Sequence, residues 1–336
     1  MNLFVSSLMV IKGFEIPNFV LYILLFLVVS GLFMWGLIYT VASYLVYVRT
    51  LSRQSPEQWT RDRPGFTDER SLKMDAEGAK WKAANADYKQ DVCIERDGLK
   101  LYGEYYDYGS DRCMVFLAGR ADSLRYSYFF AKPYTEMGYN VLLIDSRAHG
   151  WSEGKYNTVG FEESKDAIAW VRFLEETYGL RSVVFHGICV GGAGAILAIT
   201  SPECPEIVDG MVVEGMFPNF GESMKNNLRM RKKPVFIFYE MINMWMKHYT
   251  GHSMNYGPIN VIGRMHKPIL MLHGREDAAS LPINAQKMYD MCPSEQKELV
   301  WFDHGPHSML RITDTPKYDA AIKAFFAKHF DAAEVK

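Results

Sequence analysis

The chain has 336 residues, 49% of them hydrophobic, enough for one large α/β domain with an appendage. Its formal net charge is −2, from 37 Lys and Arg against 39 Asp and Glu, and no basic stripe interleaved with aromatics occurs, so no nucleic-acid partner is expected. Five scattered cysteines, at 93, 113, 189, 204 and 292, read as thiols of a reducing compartment rather than a disulfide framework, and without zinc-type spacing, a P-loop or GxGxxG neither a metal nor a cofactor is expected.

Residues 1–15 read as a short N-terminal segment. From Ile16 to Val48 there is no Asp, Glu, Lys or Arg, a span of about 33 residues against the roughly 20 that a helix needs to cross a bilayer. The span is apolar nearly all round, with Trp35, Tyr39, Tyr44 and Tyr47 as interfacial rings, and it is too long for a cleaved signal peptide. Residues 16–48 are therefore predicted to form a single transmembrane helix whose partner is the lipid bilayer. Arg49, Arg53, Arg61 and Arg63 follow it and only Lys12 precedes it, so the positive-inside bias puts the large domain in the cytoplasm. Residues 49–90 turn polar, with Pro56, Pro64 and a helix-like run from Lys73 to Lys89, and read as a connecting arm or a helix capping the domain.

From Asp91 onward, strands and helices alternate. Val92 to Arg96 and Leu99 to Tyr106, turning at Asp97-Gly98, predict a hairpin. Strand Cys113–Leu117, helix Tyr126–Met137, strand Asn140–Ile144 and helix Phe161–Thr177 follow, then strand Ser182–His186 and a helix over 193–200. Strands Gly210–Glu214, Pro268–His273 and Glu298–Phe302, with helices Pro282–Met291 and Lys317–Phe330, complete the pattern. Such alternation predicts an α/β fold with a mostly parallel sheet covered on both faces, and ligands in such sheets bind beyond the carboxyl ends of the strands.

One of those ends carries Gly187-Ile188-Cys189-Val190-Gly191, the G-x-nucleophile-x-G spacing of a sharp strand-to-helix elbow, with a thiol where a hydroxyl is usual. Both flanking glycines suit a crowded turn, and Gly192 lets the new helix pack closely. A helix N-terminus and a neighbouring histidine favour the thiolate, which needs no full proton removal in the transition state. Acid and histidine candidates follow in the order nucleophile, acid, histidine. Residues 217–264 separate two sheet strands and read as a lid, with Met and aromatic residues beside a cationic cluster of Lys225, Arg229, Arg231, Lys232 and Lys233.

This elbow, the hairpin Asp97-Gly98-Leu99-Lys100-Leu101-Tyr102-Gly103, the strand ending in Asp145, the turn Asp145-Ser146-Arg147-Ala148-His149-Gly150 and the loop His273-Gly274-Arg275-Glu276-Asp277 together resemble the α/β-hydrolase superfamily over about residues 91–332. The resemblance implies an α/β-hydrolase fold and a triad of Cys189, Asp277 and His307, with His304 and Glu214 as alternates for the histidine and the acid. It also implies an oxyanion hole from the backbone N–H groups of Val190 and Arg120, although Ala118-Gly119 stands where relatives commonly have His-Gly. His149, Asp145 and Arg147 read as turn-holding residues, and His186 as a residue of the strand. The expected function is a membrane-anchored esterase or thioesterase acting on small-molecule acyl esters or thioesters through an acyl-cysteine. An acyltransferase with the same triad and a catalytically degenerate binding module are the alternatives.

Overall fold

A computed structural model describes residues 8–11 and 14–330, with side chains from Pro17 onward. The segment expected at residues 1–15 lies in part outside the described residues; the described part holds an antiparallel pair, β1 (Leu8–Ile11) and β2 (Phe14–Pro17). Helix α1 (Asn18–Leu51) follows. It begins after the expected Ile16 because Ile16 and Pro17 belong to β2, with Pro17 extended at φ −61° and ψ 137°. It passes the expected Val48 because its last turns dock on the domain, burying Ser43, Tyr47 and Leu51 at a spacing of four residues. Its most apolar window has a mean hydropathy of 2.4 and no buried residue, which makes α1 a candidate membrane span by length and composition.

The arm is part of the domain. Asp68 caps α2 (Glu69–Ala84), accepting from the Ser71 N–H at 3.1 Å, and α2 packs on α3 (Leu124–Thr135) through Met74 and Trp81. The helix stops five residues short of the expected Lys89. Asn85 turns its amide back to the Trp81 carbonyl at 2.7 Å, a 3₁₀ turn covers Ala86–Tyr88, and Lys89 already pairs with Tyr106 in the sheet.

The remaining elements in chain order are β3 (Lys89–Arg96), β4 (Leu99–Tyr106), β5 (Arg112–Leu117), β6 (Asn140–Ile144), α4 (Phe161–Tyr178), β7 (Ser182–Ile188), α5 (Val190–Ile199) and β8 (Val208–Glu214). After α6 (Phe220–Met230) and α7 (Phe238–Thr250) come β9 (Ile269–Gly274), α8 (Pro282–Met291), β10 (Lys297–Phe302), α9 (Leu310–Thr313) and α10 (Thr315–His329). Eight strands form one sheet in the order β10-β9-β8-β7-β5-β6-β4-β3, parallel from β10 to β6 and antiparallel at β4 and β3.

The central strands are buried, apart from the first residues of β5 and β7, because helices cover both faces. One face packs Trp170, Ile196 and Met288 from α4, α5 and α8; the other packs Phe130, Tyr134 and Phe326 from α3 and α10. Each such side chain stabilises the fold by about 1.5–3 kcal/mol. After β5 the chain adds β6 on one side and then β7 on the other. The carboxyl ends of β5 and β7 therefore flank the switch point where α/β sheets leave a crevice.

Candidate active site

Cys189 stands at that crevice, between β7 and α5, with φ 54° and ψ −114°. A non-glycine residue there costs on the order of 1–3 kcal/mol, sustained by tight packing around the turn. A Cβ on Gly191 would lie 2.0 Å from the Leu117 carbonyl oxygen, and one on Gly187 would lie 2.6 Å from the Gly192 Cα. Only glycine lets the elbow press so closely against the end of β5. The Cys189 N–H donates to the Glu214 carbonyl at 3.0 Å, and its side chain is half-buried and lines a cavity.

Asp277 and His307 reach the same place from the ends of β9 and β10. Asp277 is buried; its Oδ1 accepts from the Ala279 and Ser280 N–H groups at 2.9 and 2.7 Å. Its Oδ2 lies 2.7 Å from His307 Nδ1, so that nitrogen carries the proton and Nε2 is left for the sulfur. The His307 ring and the Cys189 side chain line the same cavity. Burial alone would lower the His307 pKa, but the Cys189 sulfur and the Asp277 carboxylate together hold it well above its ordinary value. Protonation of the ring is thereby favoured in spite of its burial. Gly215 (φ 65°) leaves room for it, since a Cβ there would lie 3.0 Å from His307 Cε1.

The two alternates lie outside this cluster. His304 is an exposed side chain beside Glu276 at 3.2 Å, because it leaves β10 on the solvent side of the Gly305 turn. Glu214 is fully buried, but its carboxylate accepts from the Leu310 N–H at 3.1 Å and the Tyr318 hydroxyl at 2.8 Å, fastening α9 and α10 to the sheet. His186 lies between the Tyr134 and Tyr318 hydroxyls, both 3.0 Å away. Asp145 holds its turn through the Leu124 and Trp151 N–H groups and an ion pair with the buried Arg61, while Arg147 pairs with Asp166.

Val190 is the first residue of α5, so its N–H has no partner within the helix, and the Arg120 N–H donates to no described group. The loop carrying Arg120 is held from beneath. His149, stacked on Trp59 with centroids 4.3 Å apart, accepts the Ala121 N–H at Nε2, 3.3 Å away, and its other nitrogen donates to the Arg147 carbonyl at 2.8 Å. Burial depresses the His149 pKa to about 4, which keeps the ring neutral and Nε2 an acceptor. His149 thus serves both its own turn and the loop at the end of β5, a link that spacing could not reveal.

Asp122 is a further residue that no motif signals. It is buried in the same loop and lines the cavity, and a Cβ on Gly119 would touch both its Oδ2, at 2.8 Å, and the Cys189 Cβ, at 3.7 Å. Burial raises its pKa to about 7, against the opposing pull of Arg120 and His307. Among the described residues no three His, Cys, Asp or Glu side chains cluster closely enough to hold a metal ion.

A mostly parallel sheet with an elbow at its switch point, and a histidine and an acid on the following strand ends, defines the hydrolase-type class of α/β proteins. A family model for the alpha/beta hydrolase fold matches residues 113–243. The Bacillus subtilis protein YqkD is 26% identical over 216 residues, 63% of this chain and 69% of its own length. A Saccharomyces cerevisiae protein described as a membrane protein is 22% identical over 292 residues, 85% and 93% of the two chains. Among solved structures, a Pyrococcus furiosus esterase superposes with a TM-score of 0.61 at 24% identity, covering 74% of this chain and 94% of its own. The hydrolase GrgF from Penicillium superposes at 0.57 and 16% identity, covering 72% and 99%. The chain has the α/β-hydrolase fold.

Proposed function

We propose that the protein is a membrane-anchored acyl hydrolase that cleaves esters or thioesters through an acyl-cysteine. The observation that carries this reading is that Cys189 and His307, with Asp277 behind the ring, meet on a cavity of about 840 Å³, within the range of small-molecule sites. The Cys189 thiolate attacks the acyl carbon, forming a C–S bond while negative charge gathers on the oxygen facing the Val190 and Arg120 N–H groups. Collapse of that adduct breaks the bond to the leaving oxygen or sulfur, which takes the proton from His307. Water then gives its proton to His307 and adds to the thioester; the C–S bond breaks, releasing the acid and restoring the thiolate–imidazolium pair. Asp277 holds the ring in the required tautomer throughout.

The esterase among the structural neighbours and the membrane protein among the relatives fit this reading, as does α1 as a single-pass anchor. The cations following α1 favour a cytoplasmic hydrolase domain. The full chain in detergent, assayed on paired acyl esters and thioesters, should release free acid, and Cys189→Ala should abolish release. Undiminished turnover by Cys189→Ala would refute the mechanism. If added amines or alcohols appear as the main acylated products, the enzyme is a transferase using the same intermediate.

A further inference from the structure

The cavity is built in part by the membrane helix. Tyr39, Ala42 and Val46 of α1 line one wall, and Phe238 of the lid stands opposite Tyr39, with ring centroids 5.6 Å apart. The stretch of α1 ahead of Tyr39, Asn18 to Ile38, whose last residue also lines the cavity, rises roughly 32 Å at ~1.5 Å per residue, close to the thickness of a bilayer's hydrocarbon core. From Tyr22 to Ile38 its large side chains are exposed, and docking on the domain begins at Tyr39. The α1 wall of the cavity therefore begins at the membrane boundary, and Arg231, Lys233 and Pro234 of the α6–α7 loop line the cavity with it. That loop bears the marks of an interfacial segment: Phe236 is 85% exposed, next to Arg231, Lys232 and Lys233.

Cations outnumber anions among the charged side chains that line the cavity. Arg49, Arg231 and Lys233 line it, and among the described residues none of the three is ion-paired. Asp122 is its one carboxylate among the lining residues. An apolar α1 wall adjoining the span, cations without an ion pair and the Cys189 sulfur, all on one cavity, match one kind of molecule.

We propose that the substrate is an anionic acyl lipid that enters the cavity sideways from the bilayer, between α1 and the α6–α7 loop, with its headgroup held by Arg49, Arg231 and Lys233. This substrate class rests on the acyl-hydrolase reading above. The route presents the acyl ester to Cys189 without the lipid leaving the membrane.

The test uses the full chain in liposomes containing phosphatidylglycerol or phosphatidylcholine with identical labelled acyl chains, with a soluble short-chain thioester as a separate substrate. Phosphatidylglycerol should be cleaved about tenfold faster than phosphatidylcholine, and the double variant Arg231→Glu/Lys233→Glu should bring that ratio near one. Its unfolding midpoint in detergent checks that the variant folds. A wild-type ratio near one, a preference that survives charge reversal, or faster cleavage of soluble acyl-coenzyme A than of the bilayer lipid would each overturn the proposal.

Occupancy is read without chemistry by a phosphatidylglycerol carrying a photoactivatable acyl chain, incubated with the Cys189→Ala protein. Labelling of α1 around Tyr39 and of α7 around Phe238 is expected, and labelling confined to residues 18–38 would overturn the entry route. If labelling occurs but the wild type cleaves neither lipid nor soluble thioester, the cavity still takes the lipid and it is the acyl-hydrolase reading that fails.

Discussion

At the scale of single residues, the site depends on small groups that admit larger ones. Gly215→Ala would set a methyl group 3.0 Å from His307 Cε1 at a positive φ, displacing the imidazole from Asp277 and Cys189. Displacements of this kind cost on the order of 10²-fold in rate. Steady-state kinetics should show a large fall in kcat/KM, while intact-mass analysis still finds Cys189 open to alkylation; unchanged kinetics would mean that the ring's position is not limiting. Glu214 makes a separate prediction. Burial raises its pKa from 4.5 to about 7, so the folded chain keeps a proton that the unfolded chain releases over this range. Stability should therefore fall as pH rises from about 4.5 to 7, by on the order of 3 kcal/mol. Denaturant unfolding of the full chain should show that slope, and Glu214→Gln should flatten it; parallel curves for the two proteins would contradict the assignment. The elbow was legible because Gly187, Cys189 and Gly191 must be adjacent in sequence to make one turn. Asp122 and the link from Trp59 through His149 to Ala121 were not, because they join residues far apart in the chain or carry no fixed spacing.

At the scale of elements, α1 both serves as a candidate membrane span and is part of the soluble fold. Tyr47 and Leu51 are fully buried, Tyr47 stacks on Tyr249, and the Trp245 indole donates to Ser43 Oγ at 3.1 Å. Tyr47→Ala should destabilise the domain by about 3–5 kcal/mol, as for other large-to-small changes in cores, and loosen α7 with it. Hydrogen exchange on the detergent-solubilised chain should show faster exchange in Phe238–Thr250; unaltered protection would mean that α1 is only tethered. Sheet strands were readable from their apolar runs, with ends off by a few residues where the chain extends into loops. The arm was harder to read because its composition is that of an exposed linker. What places it in the domain is tertiary: Arg61 pairs with Asp145 and Glu104, partners 84 and 43 residues away. The same holds for α1, which is apolar on nearly every face, so that periodicity does not mark the side that docks.

For the whole molecule, the proposed arrangement is a hydrolase-fold domain held at the bilayer surface by the helix that also walls its cavity. The proposed orientation rests on the cations flanking α1, and Cys93, which is exposed, offers a reporter. In intact cells a membrane-impermeant thiol reagent should leave Cys93 unlabelled until the membrane is opened; immediate labelling would reverse the topology. All five cysteines are unpaired, so the reagent has no disulfide to compete with.

The most direct test of the central claim is the mass of the Cys189 peptide after brief exposure of the full chain to an activated acyl ester and acid quench. A single acyl addition on Cys189, removable by hydroxylamine and lost with His307→Ala, is expected. An unmodified Cys189, or an acyl group carried by another residue, would contradict the account.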